Sequence, residues 1–302
     1  PKPQNPKTPC HKFIIFYKMI DFFGFEDSVN RANTEVEWQM TPEQTFATVS
    51  TLGILVVLYS AIIYHAVQNS YNFLYKQKRY RVVLLTAFYT FTILTCVCRV
   101  AQYLYLVLFY FTQHEQRTTE FLLFDMVTAI LMLCVGCVMV LFNVSLTHAV
   151  QYVTGHRRKV PPIALILTPL LAVSVVMPTL SMIFTFKYTF YLIALFDITV
   201  ALGLFLSLWY MNVAMDRVPE LANFDGKNMS RIFVITYGFS FITFTGCNIA
   251  KSLYFDKYNK DIQNNPYIFS SISFFSNLLN QILPLVLMIV MHRKNFKENS
   301  PE

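Results

Sequence analysis

Charge is the scarcest property of this sequence. Only 14% of the 302 residues are Asp, Glu, Lys or Arg, against about 25% in an average soluble domain, and that excludes a fold with an ordinary hydrated surface. Catalytic vocabulary is equally sparse. The chain has no nucleophile motif, no Gly-rich phosphate loop and no paired catalytic carboxylates, so the expectation is a protein that is not an enzyme and holds no cofactor. Six cysteines cannot supply a disulfide framework, because five of them (Cys96, Cys98, Cys134, Cys137 and Cys247) fall inside apolar stretches and only Cys10 sits in a polar tail. The Cys134 to Cys137 pair has CxxC spacing but no thiol or imidazole near it in sequence, and buried structural thiols account for it. Interleaved basic and aromatic residues of a nucleic-acid binder are absent too, so nucleic acid is not an expected partner.

What fills the chain instead is apolar: 55% of its residues, with a mean hydropathy of +0.45. The excess runs the whole length, as in a polytopic membrane protein. Seven stretches reach the roughly 20 residues needed to cross about 30 Å of hydrocarbon, near 45–67, 82–111, 121–146, 162–184, 188–214, 232–254 and 266–292. The expected fold is therefore all-α, an antiparallel bundle of seven transmembrane helices over 45–292. The second stretch is longer than a span requires, and the third should continue as helix through His148 to Val153. Lys187 is nearly all that separates the fourth from the fifth, which makes them neighbours.

Basic residues set the expected orientation. Lys76, Lys78, Arg79, Arg81, Arg157, Arg158, Lys159, Arg217, Lys227, Arg231, Arg293, Lys294 and Lys297 fall on one side, against Arg31, Arg117, Lys187, Lys257 and Lys260 on the other. That bias puts the N-terminus outside or lumenal and the basic C-terminal tail, 293–302, in the cytosol or a matrix. The same basic loops could attract anionic lipid headgroups, at about 1 kcal/mol per side chain near the surface, which makes membrane lipids one expected partner. Residues 1–44 differ in kind: a polar tail with a short apolar segment, 13–25, too short to span and suited to the interface. The chain begins at Pro1, which fits loss of an initiator Met or of a longer leader.

Ionisable groups within apolar spans cost about 2.5 to 3.5 kcal/mol each on insertion scales. Arg99, Asp125, Asp197 and Lys251 are the four clear cases, and all fall in the expected outer half, roughly 5 to 15 Å from its boundary. They form a candidate intramembrane polar cluster, in which Arg99 should pair with Asp125 or Asp197. Such a cluster can be a latch that fixes helix register, a ligand-binding pocket open to the outside, or part of a conduction path. In the seventh span Asn277, Asn280 and Gln281 precede Pro284, a candidate polar hinge, because proline frees a backbone carbonyl that an amide can satisfy. Pro169 and Pro178 act in the same way on the fourth span. His65, His148 and His292 lie near expected cytosolic helix ends, where the helix dipole favours a cation, and with no HxxxH pair present no metal site is expected.

Seven spans with an outer N-terminus resemble a G-protein-coupled receptor in architecture alone. The third span ends in Asn143-Val-Ser-Leu-Thr-His148 in place of an acidic and arginine pair, and the seventh carries no Asn-Pro-x-x-Tyr. A closer resemblance is to the seven-helix family of tobamovirus multiplication proteins and related lysosomal orphan receptors. It rests on size, short loops, a basic loop leading into the second span, and an Arg in that span followed by aromatic residues, here Cys98-Arg99-Val-Ala-Gln-Tyr103-Leu-Tyr105. The resemblance implies a non-enzymatic, receptor-like or scaffolding protein of vacuolar or lysosomal endomembranes that recruits protein partners. The alternative is an accessory structural subunit of a large assembly such as a respiratory complex of the mitochondrial inner membrane. That reading is favoured by 29 Phe and 18 Tyr and by the lack of an N-x-S/T sequon in the outer segments.

Overall fold

The computed structural model describes residues 41–72, 83–112, 118–153, 162–184, 186–216, 225–253 and 266–298. All of them belong to one compact unit, and among the described residues the regular structure is entirely helical. Helix α1 is Pro42–Tyr71, α2 Val83–Thr112, α3 Thr118–Val153, α4 Pro162–Phe184, α5 Phe186–Asp216 and α6 Asp225–Leu253. The last helical stretch comprises α7, Pro266–Asn277, a π-helical turn over Leu278–Ile282, and α8, Leu283–Glu298. The apolar segment 13–25 and the basic residues of 73–82 and 154–161 lie outside the described residues.

Each of the seven apolar stretches coincides with a helix. Among the described residues, five helices are long and apolar enough to cross a membrane: α1, α2, α3, α5 and the α7 to α8 stretch. This is the architecture of a multi-pass membrane protein. Helix α4 contributes a shorter apolar stretch, Thr168–Met182. Helix α6 buries Ser240, Thr245, Asn248 and Ser252 along one side.

Several boundaries shift from those expected. Helix α1 starts at Pro42 and not at 45, because Thr41 caps it: the Thr41 hydroxyl accepts from the Gln44 N–H at 3.3 Å, and the Gln44 side chain accepts from the Thr41 N–H at 3.3 Å. This reciprocal box satisfies two donors that a helix start leaves open, and proline at the first helical position has no N–H to satisfy. At the other end α8 continues to Glu298, so most of the expected tail 293–302 is helical. Helices α1 and α3 run six and five residues past His65 and His148, beyond the last turn in which the dipole acts. The expected capping role of those two histidines is therefore incorrect. His65 instead lies edge-on to Tyr64, with ring centroids 5.3 Å apart.

Packing follows the apolar stripes. On α1, Leu52, Leu55, Tyr59, Ile62, Ala66 and Asn69 recur at intervals of three and four and are buried, while Ile54, Val57, Tyr64 and Val67 remain exposed on other faces. A helix apolar on its outward face too is one whose surroundings are lipid. Around the bundle α1 packs on α2, α2 on α3, α3 on α5, α5 on α6, α6 on the π turn and α8, and α7 and α8 on α1. Helix α4 stands outside this ring against α3 and α5. Hydrogen bonds fix the directions. Tyr59 of α1 meets Asn277 and Gln281, and Asn69, ten residues later, donates to the Ile289 carbonyl at 3.3 Å, so α1 and the last helical stretch run parallel, whereas Arg231 near the start of α6 donates to Asn212 near the end of α5 at 2.9 Å, so those run antiparallel. Where α3 meets α5 and α6 there is no room for a side chain: a Cβ on Gly136 would fall 2.5 Å from Val200 Cγ1 and 2.6 Å from Phe241 Cζ.

Candidate functional site

The polar groups of the interior converge on Asp125. It lies on the second turn of α3, about 10 Å along the helix from Thr118, and is 4% exposed. One carboxylate oxygen accepts from Arg99 Nη1 of α2 at 2.9 Å, and the other accepts from Lys251 Nζ of α6 at 2.5 Å. Arg99 thus meets Asp125, the first of the two partners the sequence allowed. Lys251 adds a second cation to the same carboxylate, and its side chain is 22% exposed, next to the Phe190 ring with Nζ 5.5 Å from the centroid. A shared carboxylate between two cations in a nearly dry interior is held by charge-assisted hydrogen bonds, which are shorter and stronger than neutral ones.

Asp197 of α5 takes a different partner. Its carboxylate accepts from Asn248 Nδ2 at 2.8 Å, and Asn248 lies one turn before Lys251 on α6. The expectation that Asp197 might neutralise Arg99 is therefore not met: a neutral amide holds it.

From Asp125 the network runs deeper through Arg99, which is 5% exposed. Its Nη1 also donates to Gln102 Oε1, one turn along α2, at 2.7 Å, and its Nε donates to Gln281 Oε1 in the π turn at 3.1 Å. Gln281 Oε1 lies 2.6 Å from the Tyr59 hydroxyl of α1, which also lies 3.0 Å from Asn277 Oδ1. That hydroxyl has a single proton and gives it to one amide or the other. Tyr59 stacks on Tyr103 of α2 at a centroid distance of 6.2 Å. Lys251, Asp125, Arg99, Gln281 and Tyr59 thus form one polar chain across α6, α3, α2, the π turn and α1, with its only partly exposed member at the end where α6 finishes and α3 begins.

The seventh helical stretch shows why its amides precede Pro284. Proline cannot donate to the Asn280 carbonyl four residues earlier, and the helix widens there, the Leu283 N–H reaching back five residues to the Leu278 carbonyl. The freed Asn280 carbonyl accepts from the Ser240 hydroxyl of α6. The amide side chains were expected to satisfy it, and they do not: Asn280 Oδ1 accepts from Thr243 Oγ1 at 2.7 Å, and Asn277 Nδ2 donates to the Ser273 carbonyl at 2.6 Å.

Sequence reasoning missed Gln102, Tyr59 and Ser240 as site residues. Tyr59 had a signal, since it occupies the buried stripe of α1 where a hydroxyl needs a partner. No group of His, Cys, Asp and Glu suited to a metal ion occurs among the described residues. Cys137 of the CxxC pair lies 3.4 Å from the Ser174 hydroxyl of α4, and both thiols are free.

Comparison with protein-family models, curated proteins and solved structures finds no match to this chain.

Proposed function

We propose that this chain is a seven-span, receptor-like membrane protein without enzymatic activity, with its N-terminus outside or lumenal, in which a polar chain couples the outer mouth of the bundle to the π turn of the last helix. One observation carries this reading: Asp125 is held by cations from two other helices, and one of those cations also grips Gln281 within the π turn. A latch that merely fixes register needs one cation and one anion. Here the ion pair continues into a turn that has left α-helical geometry, and single π turns within α-helices occur frequently at functional sites. A ligand that changed the hold on Asp125 at the mouth would change the hold on Gln281, and through it the turn on which α8 pivots. The basic loops at the opposite end, with Arg157-Arg158-Lys159 among them, supply the surface for cytosolic partners and anionic lipid. Vacuolar or lysosomal membranes are the setting implied by the likeness of Cys98 to Tyr105.

Two measurements test this. Cysteines placed at positions 70 and 258 should label from opposite sides of the membrane, and labelling from one side removes the topology. The native mass of the detergent-extracted protein should be that of the chain alone or of a small homo-oligomer. A large hetero-complex would replace the receptor reading with that of an accessory structural subunit.

A further inference from the structure

The outward face of α5 is graded along its length. Tyr191 and Trp209 are exposed, and between them the exposed large side chains are Leu195, Ile198, Leu202 and Leu206. The spacing of three and four residues makes these one stripe. Rings with a polar tip thus stand at its two ends, and aliphatic chains fill the middle. Tyr and Trp collect where hydrocarbon gives way to headgroups, because one part of each ring is apolar and the other prefers water. On α1 the exposed large residues run Phe46, Ile54, Val57 and Tyr64, with Val67 and Tyr71 beyond.

Both stripes have the same length. Tyr191 to Trp209 and Phe46 to Tyr64 are each 18 residues apart, about 27 Å along a helix. Side chains of one helix lean the same way along its axis, so the rings keep the spacing of their backbone. The charges of α6 draw the same two edges. Gly136, Val200 and Phe241 meet where α3, α5 and α6 pack together. From that level Tyr191 and Trp209 lie nine residues to either side on α5, about 14 Å. On α6 the cations Lys251 and Arg231 lie ten residues to either side of Phe241, about 15 Å, and no charged residue lies between them. Both are partly exposed, as cations at the edge of hydrocarbon are.

We propose that these stripes seat the bundle in a thin bilayer, with a hydrocarbon core of about 27 Å, like that of the endoplasmic reticulum. A plasma membrane rich in sterol and sphingolipid, at about 32 to 33 Å, is too thick for them. Tilt only shortens the vertical reach of a helix, so about 27 Å is the upper end of the fit. A thicker core would draw Tyr191 or Trp209 out of the headgroup layer and into hydrocarbon. The fit rests on the membrane-spanning architecture and not on the receptor-like reading, so either can fail alone.

The test uses the purified full-length chain in vesicles of monounsaturated phosphatidylcholines. Acyl length is varied so that the core, measured by X-ray scattering, runs from about 23 to about 35 Å. The unfolding midpoint should peak at a core of no more than about 28 Å and fall by several degrees at about 33 Å. A peak in a thicker core, or midpoints indifferent to thickness, overturns the proposal. Ring depth gives a second reading. The chain has two tryptophans, so Trp38→Phe leaves Trp209 to report its own level through quenching by lipids brominated at graded depths. Tyr191→Trp, in a chain carrying Trp38→Phe and Trp209→Phe, reports the outer end. Both rings should lie at the glycerol level when the core is about 27 Å. A ring near the bilayer centre, or two rings at the glycerol level only in the thickest bilayers, overturns the proposal. Tyr191→Leu with Trp209→Leu lengthens the aliphatic band without touching the interior, so the peak should move to cores several ångströms thicker. A peak that stays in place removes the role given to the two rings. Native mass, which separates a receptor-like chain from a subunit of a large complex, has no bearing on any of these readings.

Discussion

Replacing Asp125 by Asn should be the most damaging conservative change in the molecule, and the damage should be largely undone by a second change at Arg99. Asp125→Asn keeps shape and removes the one charge that two buried or half-buried cations share. Breaking a buried pair by removing one partner costs about 3 to 5 kcal/mol, which lowers the midpoint by roughly 6 to 20 °C at about 2 to 4 °C per kcal/mol. Arg99→Met is milder, because Asp125 retains Lys251 and no charge is stranded. What it loses are the hydrogen bonds to Gln102 and Gln281. In the double variant the remaining cation is Lys251, whose partly exposed side chain can extend its ammonium toward the mouth. The expected order of stability is therefore wild type, Arg99→Met, the double variant close behind, and Asp125→Asn lowest. Thermal unfolding of the four proteins in one detergent gives the coupling directly, and it should be at least about 1 kcal/mol. The same cycle between Arg99 and Asp197 should be additive to within about 0.5 kcal/mol, because Asp197 is held by Asn248. Additivity in the Asp125 cycle, or strong coupling in the Asp197 cycle, would refute this account of the cluster.

Two further outcomes follow from backbone and packing. Ser240→Ala should cost about 1 to 3 kcal/mol by leaving the Asn280 carbonyl without its donor, and much less in a Pro284→Ala background, where an N–H is available at position 284. Equal losses in both backgrounds, read from unfolding midpoints, would contradict the role given to Ser240. Gly136→Ala should destabilise by about 1 to 3 kcal/mol, because its Cβ would meet Val200 and Phe241 at under 3 Å. Gly53→Ala, with nothing within 4 Å of its Cβ, should be neutral or gain up to about 1 kcal/mol from helix propensity, so similar midpoints for the two variants would refute the close approach of α3 to α5 and α6.

The helices were legible because hydrocarbon imposes a length and a composition that any reader of Leu, Val and Phe can find. Even the extension of α3 to Val153 follows from the run after Gly136, which has no Pro or Gly. Arg99, Asp125, Asp197 and Lys251 stood out for the complementary reason, that charge in such a run is costly. Their partners were less legible, since pairing depends on which faces meet. Arg99 could be matched to Asp125 from sequence because α2 and α3 are consecutive, but nothing in the sequence brings Lys251 across to the same carboxylate. Gln102 was hidden among the residues following Arg99, and Ser240 among the serines and threonines of α6, because a hydroxyl in a membrane helix usually bonds its own preceding turn, as Thr236 does with Ile232 at 2.8 Å. The histidines misled for a simple reason: apolarity stops before the helix does, so the edge of a hydrophobic stretch is a poor estimate of a helix end.

The distribution of the four charges bears on how such a bundle forms at all. Helices α2 and α3 bring Arg99 and Asp125, and α5 and α6 bring Asp197 and Lys251, so each antiparallel hairpin contains one cation and one anion. At about 2.5 to 3.5 kcal/mol for each charge near the centre of a span, a hairpin with an internal counter-charge enters the membrane more easily than one carrying an unmatched charge. In the folded bundle the pairing is no longer confined to hairpins, because Lys251 reaches Asp125 and Asn248 holds Asp197. The Lys251 to Asp125 bond ties α6 to α3, helices that are distant in sequence. The bundle thus closes on charges brought by two hairpins, and a change at Asp125 should loosen α6 as well as α2 from α3.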